Sequence, residues 1–146
     1  MFITSEINDE MDPNAWEDQS FGRRFAQLQA DFDRFVTGQV IPVGMDPYDK
    51  GDNAFLARID PAEYGIWALR SVAPRPALRV FGAFAARDTF VAITVRERST
   101  LGGPGDRRWA NAREVALEKW SHLFSGQRPL IGDRLDDYVS EKAIAV

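Results

Sequence analysis

Four arginines, Arg70, Arg79, Arg96 and Arg98, fall on or beside three consecutive stretches that alternate like β-strands. Three more, Arg107, Arg108 and Arg113, open the helical pattern that follows. A guanidinium is planar, stays charged at any working pH and donates two parallel hydrogen bonds to a phosphate or carboxylate. Several held together bind an anion, and they offset charge that develops at a phosphorane-like transition state. Residues 66–113 carry nine arginines and no lysine against three acids, inside a chain whose net charge is −4. Lysine keeps a surface soluble equally well, so an all-arginine block suggests a use for the planar fork, although a GC-rich coding sequence gives the same bias. The competing use is internal. Residues 1–65 hold thirteen acids against five bases, enough to pair with every arginine named.

Other chemistry is sparse. The single histidine, His122, lies within a helical stretch with no nucleophile or carboxylate placed beside it, so a surface or structural role is expected. The carboxylate pairs Asp9–Glu10, Glu17–Asp18 and Asp136–Asp137 sit in surface-like contexts. Asp46, Asp49, Asp52 and Asn53 supply oxygens without the spacing of a calcium loop. The stretch STLGGPGD, residues 99–106, lacks the Lys-Ser/Thr of a phosphate-binding P-loop. With no cysteine there is neither a disulfide nor a thiolate metal site, and neither metal nor cofactor is expected.

The elements that position these arginines follow from periodicity. SFGRRFAQLQADFDRFVTG, residues 20–38, repeats Phe21, Phe25, Leu28, Phe32, Phe35 and Val36 at helical spacing, with Ser20 to cap it and Gly38 to close it. Residues 1–19 read as irregular, with a short turn at Pro13–Asp18, and residues 38–53 read as a loop. FLARID, GIWALRS, ALRVFGAFA and TFVAITVRER are four strands separated by connections too short for parallel crossovers, hence an antiparallel meander. In the last of them Val91, Ile93 and Val95 point to one face, and Phe90, Ala92, Thr94, Arg96 and Arg98 to the other. A second helix spans residues 107–126, with Trp109, Ala112, Ala116, Trp120, Leu123 and Phe124 inward. A last helix forms in residues 134–146, with Leu135, Tyr138 and Val139 inward. The expectation is one α+β domain: residues 1–53 an acidic extension and helix, 54–124 the sheet and its helix, 125–146 a C-terminal helix. No stretch of about 20 apolar residues is present to span a bilayer. The acidic N-terminus does not read as a signal peptide, so a cytoplasmic protein is expected.

Residues 54–124 carry a resemblance. Trp67, Leu69 and Arg70, then Arg79, Val80 and Phe81, then Val91 to Val95 followed by Arg96 and Arg98, and finally REVALEKW, resemble the RelE superfamily, most closely its HigB-like, phage-related branch. The chain departs from that family in its acidic balance, in Ala68 where the family places Glu, and in Glu97 between the two basic residues. The resemblance implies a RelE-like fold and an mRNA-cleaving toxin, often acting in the ribosomal A site and neutralised by an antitoxin. It implies that Arg79, Arg96 and Arg98 clamp the phosphate while the 2′-OH attacks, with Arg70, Arg107, Arg108 and Arg113 holding the nucleic acid. The alternative is a non-catalytic module of the same fold that binds protein or nucleic acid.

Overall fold

Strands β4 (Ile66–Ser71), β5 (Leu78–Ala86) and β6 (Thr89–Glu97) are rich in β-branched and aromatic residues and pair antiparallel at the centre of a sheet. In the computed structural model, residues 1–12, 14, 19–47, 49 and 51–146 are described, excepting the side chains of Gln19 and Ser20. The turn expected at Pro13–Asp18 and the cap expected from Ser20 fall largely outside that set.

The expected RelE-like order of N-terminal helix, four-stranded antiparallel meander and C-terminal helices is corrected. Among the described residues the sheet has seven strands and is mixed, in the order β1 (Phe2–Ile3), β6, β5, β4, β3 (Leu56–Arg58), β2 (Ile41–Gly44), β7 (Ala143–Ala145). β3 pairs antiparallel with β4. Both outer layers are parallel: β1 lies along β6, and β2 lies between β3 and β7. β1, β2 and β7 hold two to four residues, too few to show an alternation, and the two edge strands β1 and β7 pair with residues far along the chain. Residues 1–19 and 38–53 therefore contain strands where irregular chain was expected, and residues 5–10 form a helix, α1 (Ser5–Glu10). The expected C-terminal helix is one turn, α4 (Leu135–Tyr138), followed by β7. Buried Tyr138 anchors it, its hydroxyl bonded to both N–H and C=O of Gly132.

Two long helices cover the two faces. α2 (Gln19–Val36) sets Leu28 and Phe32 against Trp67, Leu69, Val80, Phe84 and Phe90. Gly38, with φ +65°, closes its end. α3 (Arg107–Leu123) sets Ala112, Ala116 and Trp120 against Ile66, Ala68, Phe81, Ala83, Val91 and Ile93. Asp106 caps α3 by accepting from the Arg108 N–H at 2.9 Å. Leu123, expected inward, is 53% exposed. No helix among the described residues is long and apolar enough to cross a membrane.

A β-bulge decides which face the arginines take. Gly82 pairs with Ala92, but Phe81 pairs with Thr94, leaving Ile93 as an extra residue. Beyond it the alternation in β6 inverts. Val95 joins the α2 face with Phe90 and Ala92, and Arg96 turns to the α3 face with Val91 and Ile93. The expected grouping of Val91, Ile93 and Val95 is thus broken. The crossing is tight: a Cβ on Gly82 would lie 2.2 Å from the Val91 carbonyl oxygen, so only glycine fits.

Candidate functional site: an arginine row at one end of the sheet

Antiparallel pairing sets Arg70 opposite Arg79, and Arg79 opposite Arg96. Directly paired residues share a face, here the one α3 covers. Three guanidiniums thus leave one end of three adjacent strands, whose spacing makes the row about 10 Å wide. Arg98 follows immediately, on the 3₁₀ turn Arg98–Leu101 that leads toward α3. Like charges placed directly opposite on a sheet are destabilising, so the row stands against its own electrostatics.

Arg79 is the deepest member, 7% exposed. Among the described residues its side chain makes one hydrogen bond, from Nη1 to the carbonyl of its own neighbour Leu78 at 2.9 Å. Burial, then the charges of Arg70 and Arg98, pull its pKa down to about 10, which leaves it a cation at neutral pH. No carboxylate is among its electrostatic neighbours. Arg70 is half-buried and donates from Nη1 to the Gly51 carbonyl at 3.3 Å. Burial lowers its pKa, with Asp52 opposing and Arg98 adding to the shift. Arg98 lies over the Trp109 ring at 5.3 Å and donates from Nη1 to the Gly102 carbonyl at 2.6 Å. Trp109 packs edge-on against Phe81 at 5.9 Å, and its buried indole N–H has no acceptor among the described residues.

Arg96 belongs to a different electrostatic setting. Its Nη1 donates to the Thr94 hydroxyl at 2.8 Å and to the Val95 carbonyl at 2.6 Å. Thr94 donates in turn to Glu6 on α1 at 2.9 Å, and Lys119 on α3 forms an ion pair with the same carboxylate. Burial opposes ionisation of Glu6, but the bonds from Lys119 and Thr94 outweigh it and hold its pKa below the ordinary value. Burial, then the charge of Glu6, push Glu10 upward, while Arg96 and Lys119 oppose the rise. A cavity of about 650 Å³ beyond Arg96 is lined by Phe25, Leu78 and Val95, with Asp9, Glu10 and Glu97 among its polar members. Its acids do not suit an anion.

The charges of Arg70, Arg79 and Arg98 are therefore brought together, Arg96 shares their strand ends while its charge acts on Glu6 and Glu10, and the other candidates are not all with them. Arg107 is exposed and without a side-chain partner among the described residues. Arg108 is held by Asp106, with Nε and Nη2 at 2.9 and 2.8 Å, and so serves the helix cap. Arg113 lies 4.9 Å from the Tyr64 ring centroid and donates to the Asp60 carbonyl at 2.7 Å, bracing the β3–β4 connection away from the row. His122 is exposed on α3, its Nδ1 2.9 Å from the Glu118 carbonyl. No group of His, Cys, Asp and Glu among the described residues has the arrangement to hold a metal ion.

Two contributors escape the sequence reading. Trp109 has the spacing of a core residue, and nothing in the order of residues shows that Arg98 would lie on it. Arg24 sits four residues before Leu28, on the buried side of α2, and that spacing was available as a signal. It is fully buried and donates to the carbonyls of Ser71, Ala73 and Pro76 at 2.8, 3.3 and 2.7 Å. Burial lowers its pKa and the nearby charge of Asp31, which itself accepts from the Ser71 hydroxyl, opposes that shift. Arg24 thereby fixes the β4–β5 connection, and with it the strand ends that carry Arg70 and Arg79. No family model, curated protein or solved structure matches the chain.

Proposed function

We propose that this protein binds RNA through the arginine end of its sheet, using Arg79 with Arg70 and Arg98 as a phosphate seat. The observation that carries this reading is Arg79 itself: a buried cation surrounded by cations, with most of its donors unused. A buried charge is costly unless it is paired, and no acid among the described residues pairs it. An anion from outside fits that vacancy of charge. Trp109, bearing the Arg98 guanidinium, adds the aromatic surface that nucleic-acid sites use beside their cations. An RNA ligand is in keeping with a cytoplasmic protein.

Fluorescence anisotropy with a labelled single-stranded RNA tests this. Binding should weaken linearly with log salt concentration, because phosphate neutralisation releases counterions. Arg79→Gln should weaken it roughly tenfold or more, the scale of a charge-assisted bond. Arg113→Gln, which alters a cation outside the row, should change it by less than about twofold. Equal affinity of the wild type and Arg79→Gln would overturn the reading.

The nearness of Arg79 and Arg98, with Arg96 paired beside Arg79 on the next strand, favours a second reading, phosphodiester cleavage. RNA brings its own nucleophile in the 2′-OH, and arginines stabilise the charge that develops on phosphorus. This is the toxin activity that the resemblance implies, with mRNA on the ribosome as substrate and an antitoxin as partner. Cleavage of mRNA in a cell-free translation extract, lost in a folded Arg79→Ala/Arg96→Ala/Arg98→Ala variant, would support it. No cleavage by folded wild type would leave binding alone.

A further inference from the structure

The four guanidiniums of the row are not equivalent. Two of them act on or are acted on by carboxylates: Arg70 has Asp52, and Arg96 has Glu6 and Glu10. Arg79 has none. Among the described residues none of the four forms an ion pair, but the neighbours that shift Arg79 are Arg70 and Arg98 alone, with no carboxylate among them. Arg79, more than nine-tenths buried, has the charge of Arg98 beside it, and neither of the two forms an ion pair among the described residues.

The charge and the depth of this pair select among phosphates. Matching two cations calls for two negative charges in one small group. An internal phosphodiester carries one negative charge. A phosphomonoester carries about −1.5 to −2 at pH 7 and presents three strong acceptor oxygens. Depth acts in the same direction. A terminal phosphate projects from its carrier and reaches a recessed guanidinium, whereas an internal phosphate is held back by chain on both sides. The donors present are guanidinium N–H groups, which match phosphate oxygens two at a time.

We infer that Arg79 and Arg98 form a seat for a phosphomonoester, so that the ligand is the phosphorylated end of an RNA strand rather than its interior. This rests on the RNA-binding reading and narrows it. A small phosphorylated nucleoside offers the same terminal chemistry, so the experiment separates the two carriers.

The full chain is titrated with one 12-nucleotide RNA in three forms: 5′-phosphorylated, 3′-phosphorylated, and with hydroxyls at both ends. Adenosine monophosphate and inorganic phosphate serve as competitors. One phosphorylated strand should bind roughly tenfold or more tighter than the hydroxyl-ended strand. That advantage should shrink as pH falls below about 6, where the phosphate regains its second proton and the arginines keep theirs. Arg79→Gln should collapse the difference between phosphorylated and hydroxyl ends. Arg98→Gln, at a less buried position, should do the same if Arg79→Gln fails to fold. Equal, salt-sensitive affinity for all three strands would overturn the seat while leaving RNA binding standing. No binding of any strand would overturn both. Adenosine monophosphate binding as tightly as the phosphorylated strand would overturn the RNA end as the carrier.

Discussion

Two buried arginines stand on opposite faces of the same sheet, and their surroundings are opposite in kind. Arg24 on α2 donates to three backbone carbonyls and has Asp31 near it. Arg79 on β5 donates to one carbonyl, that of the residue before it, and has only cations near it. Burial alone does not distinguish them, since both are inaccessible or nearly so. The use of their donors does. A guanidinium whose N–H groups end on carbonyls that the fold itself presents is part of the framework. One whose donors the fold leaves largely unused, as at Arg79, has N–H groups to offer the anion proposed above.

The largest effect that sharpens this contrast is at Arg24. Arg24→Met leaves three inward carbonyls without their donor and should cost about 3 kcal/mol or more, read as a lowered midpoint in urea unfolding. The same substitution at Arg79 should act in the other direction. Arg79→Met removes a buried, unpaired charge and should leave stability unchanged or raise it by about 1 kcal/mol, while RNA binding weakens roughly tenfold or more. With a pKa near 10, Arg79 carries its cost at every pH below that value, and the folded state is relieved only above it. A destabilised Arg79→Met would break the contrast, because it would show that Arg79 holds the framework too. The smallest effect is at the acid-bearing flank. Glu6→Gln should cost less than about 1 kcal/mol at neutral pH, as partly exposed ion pairs do. The folded-state pKa of Glu6 lies below its ordinary value, so its contribution is present above about pH 4.5 and is lost as pH falls further. Unfolding curves of wild type and Glu6→Gln should therefore converge in acid.

Parts of this were legible in the residues themselves. Period-2 alternation locates the central strands, and the aromatic spacing of Phe21, Phe25, Leu28 and Phe32 locates α2. The antiparallel-meander reading fails at both edges because Phe2–Ile3 and Ala143–Ala145 are too short to carry a period and take their conformation from partners far along the chain. The face of Arg96 was not legible either. One bulged residue, Ile93, inverts every side chain after it, and alternation has no mark for an inserted position. The convergence of Arg70, Arg79 and Arg96 is a fact of register. Strand boundaries could be read one by one; which residue stands opposite which could not. Arg108 and Arg113 show the same limit from the other side, since charge counting grouped them with the row and local geometry ties them to Asp106 and Asp60.

The parallel edges carry a consequence in time. β4, β5 and β6 are joined by short connections and can zip as hairpins on the scale of microseconds. The Thr4 hydroxyl, by contrast, donates to the Ile93 carbonyl across 89 positions of chain, and β2 must wait for β7 over a still longer span. Loop-closure entropy makes such contacts late. Stopped-flow folding should show the arginine-bearing hairpins protected from amide exchange before either edge is, so that the charged row is assembled while the sheet's flanks are still open.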